Sequence, residues 1–219
     1  MVFQAETLDS LLYNDRRMTR QQISDILHYT LFYAFLACWV ILSGSFLFID
    51  RNLEDLGRRA GDAAIILLWV VSLPGILKRF QVKGFLQQVQ IVLMRSRRRI
   101  GILMFTLAMM HATWLRLFLY IKLRYIPPLS DFQTFELFGM AALALLTPLF
   151  ITSNSFSVRT LKKNWNRIHY LIYVVMWTIA FHVAMQGKLQ WAIPTFTIAI
   201  LQLLSRVNEW KLKRNAPQL

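Results

Sequence analysis

Six stretches of this 219-residue chain, near residues 24–49, 61–78, 99–121, 135–152, 167–185 and 190–208, are apolar over about the length a helix needs to cross a bilayer. Roughly 20 residues rising ~1.5 Å each cover the ~30 Å hydrocarbon layer. Inside that layer every backbone N–H and C=O must find a partner within the protein, so segments of this length and hydropathy are helices. Composition agrees: 56% apolar residues, 16% charged residues and a mean hydropathy of +0.43 leave too little polar surface to coat a soluble globule. The chain is therefore read as all-α, an integral membrane bundle of six helices. The fourth stretch is the shortest, and Pro148 within it removes a backbone hydrogen bond and is expected to kink or end the helix.

The formal net charge of +14 would suit a nucleic-acid binder, but the cations sit in short clusters between apolar runs, as the positive-inside rule places them. Nucleic acid is excluded as a partner on that ground, and membrane lipid takes its place. The segment 78–99 carries Lys78, Arg79, Lys83, Arg95, Arg97, Arg98 and Arg99 with no acidic residue, and 159–167 repeats the pattern with Arg159, Lys162, Lys163 and Arg167. These loops are expected in the cytoplasm, with both termini on the same side of a cell membrane, most simply a bacterial inner membrane. Residues 1–22 read as a retained cytoplasmic segment without the basic n-region of a signal peptide, 23–208 as one six-span domain, and 209–219 as a cytoplasmic tail. The stretch Phe80–Met94 is either an interfacial helix or an extension of the third span.

Cys38 is the only cysteine, so neither a disulfide nor a cysteine-ligated cluster can be built within the chain. The four histidines, His28, His111, His169 and His182, all lie within or at the edge of an apolar span. Ionisable groups at membrane depth are costly and mark functional sites, and imidazole is a ligand of heme iron. For any one of them the plainer reading is a hydrogen bond to a neighbouring helix. Counting rise, His111 lies 12 residues beyond Arg99 and His182 lies 15 beyond Arg167. At ~1.5 Å per residue both sit roughly 18–22 Å from the basic edge, where two imidazoles on different helices can hold one heme between them. His169 precedes His182 by 13 residues, so it lies ~20 Å lower on the same helix, and ~100° per residue turns the two side chains about 140° apart. A π-bulge or local unwinding in the fifth helix would relieve that mismatch, unless one of the two ligands points elsewhere. Trp114, Trp177 and Trp191 read as interfacial or packing residues.

The patterns Arg97-Arg98-x2-Gly101-x9-His111, Thr152-Ser153 and Trp165-x3-His169-x12-His182 resemble the YedZ/MsrQ-like heme-binding membrane proteins of the ferric-reductase-like transmembrane domain superfamily, over roughly residues 57–208. That resemblance implies a six-helix bundle moving electrons across the membrane through heme b held by His111 and His182. It also implies an altered inner site, since Arg97 stands where related reductases carry a further histidine. FMN is the second cofactor implied, near Arg97, Arg98, Trp165 and His169, whose guanidinium groups suit a phosphate or a propionate. His28 is an alternative partner for His169 on a second heme. Arg116, five residues past His111, is expected near the outer surface, either beside outward-pointing propionates or as a snorkelling arginine.

The sequence contains no glycine-rich phosphate loop, so electrons are expected from a separate donor, a cytoplasmic flavin reductase or quinol. The expected role is a heme b electron-transfer subunit serving a redox partner protein at the outer face. The alternatives are direct reduction of ferric iron or oxygen, and a structural subunit of a larger membrane complex that has lost heme.

Overall fold

The computed structural model describes residues 53–117, 128 and 131–215. Within these, every regular element is a helix and no strand occurs. Helix α1 covers Leu53–Arg79, α2 Phe85–Ala112 running into a π-helical turn Thr113–Leu117, α3 Thr134–Ile151, α4 Ser155–Leu161, α5 Lys163–His169, α6 Leu171–Met185 and α7 Leu189–Asn215. Five of the six predicted spans are accounted for in order by α1, α2 with its π-turn, α3, α5 with α6, and α7. The first, 24–49, lies outside the described residues.

Local chemistry sets the helix ends. Helix α1 stops after Lys78 and Arg79, cations suited to the negative end of its dipole, and Gln81 then takes a positive φ of 52°. At the start of α3 the backbone N–H of Gln133 donates to the Glu136 carboxylate at 3.4 Å, and Asn154 Oδ1 caps α4 by accepting from Ser157 N at 2.7 Å. Gly187, at φ 72°, closes α6 and lets the chain reverse into α7 within a few residues.

Three expectations are resolved here. Pro148 does not end its helix: α3 runs on to Ile151, and both the backbone N–H and the hydroxyl of Thr152 close on the Pro148 carbonyl at 3.1 and 2.7 Å. Residues 85–94 are continuous with α2, so this stretch is an extension of the third span rather than a separate interfacial helix. The fifth span is interrupted at Tyr170, directly after His169, where the Tyr173 N–H bonds the Tyr170 carbonyl three residues back. The backbone at Tyr170 stays in the right-handed helical region, so the chain tightens there rather than unwinding, and the angle between His169 and His182 persists.

Helix α1 packs against α2 and α7, α3 against α6, and α6 against α7. Their shared centre is Leu68, Val71, Met104, Phe105, Leu146, Val175, Met176 and Ala199. Outside it, large apolar side chains such as Val174, Ile193 and Leu203 are half or more exposed, an arrangement that water penalises and lipid does not. Among the described residues, Asp55–Arg79, Thr134–Ile151 and Lys163–Met185 are each long and apolar enough to cross a membrane. Helix α7 is more polar because Thr195, Gln202 and Ser205 turn inward and are buried.

Candidate functional site

His111 leaves the last turn of α2 and His182 the last turn of α6, and their ring centres stand 6.3 Å apart with planes at 84°. Each ring is held from behind by a backbone carbonyl of another helix. His111 Nδ1 lies 2.9 Å from Gly57 O on α1, and His182 Nδ1 lies 2.6 Å from Phe135 O on α3. A carbonyl can only accept, so Nδ1 carries the proton in both rings and Nε2 keeps its lone pair. Gln186, one turn beyond His182, approaches that Nε2 with its amide nitrogen at 2.9 Å.

Two glycines make room for the rings. A methyl group at Gly61 would stand 2.5 Å from His111 Nδ1, and one at Gly139 would stand 2.9 Å from His182 Nδ1. Any side chain at either position would push the ring off its carbonyl. Past the rings opens a cavity of about 1030 Å³, at the upper end of the roughly 300–1,000 Å³ typical of small-molecule sites. Met104, Ala108, Leu143, Leu146 and Ile179 make its apolar wall, while Arg58, Asp62, Gln133, Gln186 and Lys188 line the other end. Trp191 is also a wall residue, with Trp69 5.7 Å behind it, so one of the expected packing tryptophans borders the site.

Among the described residues, no group of three or more His, Cys, Asp or Glu side chains is arranged to hold a bare metal ion. Two opposed imidazoles over a large apolar cavity suit instead a metal that brings its own equatorial donors. With metal–nitrogen bonds of ~2 Å and ring nitrogens ~1 Å from the ring centre, two imidazoles sharing one metal have centres ~6 Å apart. The observed 6.3 Å fits that distance.

The remaining sequence candidates gather at the opposite, basic end. His169 Nε2 lies 3.3 Å from Thr152 Oγ1, and its ring stacks on Trp165 at 4.0 Å, while Trp165 Nε1 donates to Thr152 O at 2.9 Å. Arg98 donates to Ser155 Oγ at 3.2 Å, and Arg97 lies within electrostatic reach of His169. Thr152 and Phe135 are at the two ends of α3, so His169 and His182 face the same helix despite the angle between them. Trp165 and His169 thus come together over Thr152, while Arg98 reaches Ser155 nearby, and no second histidine approaches His169 among the described residues. His28 and the side chain of Arg116 lie outside the described residues.

Sequence reasoning missed Gly61, Gly139, Gln186, Arg58 and Lys188. One signal was present: Gly57-x3-Gly61 is the small-xxx-small spacing that permits close approach to a helix in a membrane. Nothing comparable marks Gly139 or Lys188.

Comparison with known proteins gives the same direction. The family described as Ferric reductase like transmembrane component matches residues 60–180, a stretch that includes His111 and His169. The protein-methionine-sulfoxide reductase heme-binding subunit MsrQ of Rhizobium meliloti is 36% identical over 132 residues, covering 57% of this chain and 61% of that protein. The protein of the same description from Brucella ovis is 37% identical over 125 residues, covering 57% of this chain and 56% of its own length. The chain thus spans about six-tenths of the length of the curated relatives it matches. No solved structure matches it. With more than half of its residues matched, and with the all-α membrane architecture seen above, the chain belongs to the ferric reductase like transmembrane component family.

Proposed function

We propose that this chain is a heme-binding subunit that passes electrons across a membrane, with one heme b between His111 and His182. The observation that carries the reading is the pair itself: two rings with centres 6.3 Å apart, each fixed through Nδ1 by a carbonyl, which leaves each Nε2 with the lone pair a metal would use once Gln186 yields its contact with His182. The relatives' description as heme-binding subunits supports it. When bound, the heme would supply reversible one-electron chemistry. The chain's own residues supply the rest. Gly57 O and Phe135 O set the tautomer and raise the basicity of the two ligands. Gly61 and Gly139 let the rings sit deep against their helices, and the apolar wall keeps water from the iron. His111 and His182 would both hold the heme iron, and ligation by two imidazoles would favour electron transfer between partners over oxygen binding.

At the basic end, Arg97, Arg98, Trp165 and His169 form the entry point for electrons, with FMN or a cytoplasmic flavin reductase as donor and quinol as the alternative. The stack of His169 on Trp165 favours an aromatic platform for a flavin over a second iron ligand. The acceptor is a redox partner protein at the opposite face. The test is heme content and redox response of the purified full chain. The reading expects one heme b per chain with a low-spin reduced-minus-oxidised spectrum. A chain without redox absorbance, purified from cells supplied with heme, overturns it in favour of a structural subunit.

A further inference from the structure

Away from the histidine pair, at the basic end, a second cavity of about 350 Å³ opens between α6 and α7. Its walls are Tyr170, Tyr173, Trp177, Ala199, Leu203 and Arg206. Tyr170 and Leu203 are 51% and 55% exposed, so the slot opens sideways from the described helices. Seven residues separate Tyr170 from Trp177 and Ala199 from Arg206. The slot therefore runs ~10 Å from a charged mouth to an apolar floor.

The mouth has a surplus of positive charge. Arg206 donates to Tyr173 Oη at 2.7 Å and lies 4.9 Å above the Tyr170 ring. Arg79, bonded to Ser205 Oγ at 2.8 Å, approaches the same Tyr173 ring at 5.9 Å. Against these two guanidinium groups stands Glu209, which bonds Arg206 at 3.0 Å and divides its charge with Lys213 at 2.9 Å. Arg79, Arg206 and Lys213 thus gather around one carboxylate at the basic end of the described helices.

We propose that this slot binds an anionic phospholipid of the leaflet at the basic end, its phosphate between Arg206 and Arg79 and an acyl chain against Leu203, Ala199 and Trp177. The chemistry is that of basic pockets between membrane helices, where arginine holds phosphate by paired N–H donors and the apolar floor takes the chain. Bound there, the lipid ties α6 to α7 and, through Arg79, to the end of α1. This proposal stands independently of the heme reading.

The full chain, reconstituted in bilayers of equal phosphatidylglycerol and phosphatidylcholine and then extracted in mild detergent, is examined by native mass spectrometry for retained lipid. Phosphatidylglycerol is expected to be retained over phosphatidylcholine, and Arg206→Gln is expected to reduce its retention about fivefold, the loss of one near-surface cation. Leu203→Trp, which fills the slot without changing charge, should exclude the lipid as well and covers the case in which Arg206→Gln does not fold. Arg59→Gln, at the opposite end of α1, should leave retention unchanged. Equal retention of the two lipids by the unaltered chain overturns the proposal. So does full retention in Leu203→Trp, and displacement of the lipid by inorganic phosphate would assign the mouth to a free anion instead.

Discussion

Gly61→Ala is the sharpest structural perturbation of the histidine pair, because it adds one methyl group and removes nothing. The new Cβ would stand 2.5 Å from His111 Nδ1 and 2.8 Å from Cε1, where ordinary contact begins at 3.4 Å. The ring must retreat by about 1 Å, since both the methyl group and the α1 backbone are fixed. That shift carries Nδ1 from 2.9 Å to beyond hydrogen-bonding range of Gly57 O. Overpacking costs about 1–3 kcal/mol and the lost bond about 1 kcal/mol. The better helix propensity of alanine returns about 1 kcal/mol. The net loss of stability is modest, about 1–3 kcal/mol. The larger effect is on ligation, since loss of a histidine's orienting partner typically weakens metal binding about 10–100-fold. Gly101→Ala is the control, because the nearest atom to its added methyl, Val71 Cγ2, is 3.8 Å away. It should keep full heme and lose no stability. Heme titration of the two purified variants, with helix content followed in parallel, reads both quantities. Equal heme affinity and an unchanged spectrum in Gly61→Ala would refute the argument that Gly57 and Gly61 position His111.

Further consequences concern the two ends of the bundle. Lys188→Gln and Arg58→Gln remove cations from the cavity wall and should lower the heme midpoint potential, because positive charge near the iron favours the reduced form; Arg116→Leu should act in the same direction if its side chain also lies near the heme. A redox titration that leaves all three unmoved would separate these residues from the heme. Asn154→Ala removes the cap of α4 and should cost about 1 kcal/mol by thermal unfolding, loosening the Thr152–Ser155 corner on which Trp165, His169 and Arg98 depend. Heme reduction by a flavin reductase in inside-out vesicles should slow as salt shrinks the Debye length from ~8 Å at 0.15 M to ~3 Å at 1 M. It should slow again in the Arg97→Gln, Arg98→Gln double variant, whereas rates insensitive to both and dependent on added quinol would assign the donor to quinol.

What could be read in advance followed helical rise, and what could not depended on lateral contact. The common depth of His111 and His182 came from counting residues above two arginine clusters, and the rings do meet. The same count cannot show which third helix lies behind each ring, so Gly57 and Phe135 were invisible as partners. Helix α1 begins at Leu53, eight residues before the apolar run at 61, because charged residues such as Asp55, Arg58 and Arg59 form its first turns. Hydropathy marks where a span is apolar and says nothing of a polar helical start, which hid the Gly57-x3-Gly61 contact. The break at Tyr170 has no Gly or Pro to announce it. Lys188 was missed because a loop residue reaches the cavity through its long side chain, not through its place in a helix.

The central claim is that His111 and His182 together ligate one heme, and the most direct measurement is low-temperature electron paramagnetic resonance of the oxidised protein alongside its His111→Ala, His182→Ala and His169→Ala variants. The account expects a low-spin signal of two axial imidazoles in the unaltered chain, its loss in each of the first two variants, and its retention in His169→Ala, whose ring lies at the far end of α3. A bis-imidazole signal that survives in both His111→Ala and His182→Ala, or disappears in His169→Ala with those two intact, would contradict it.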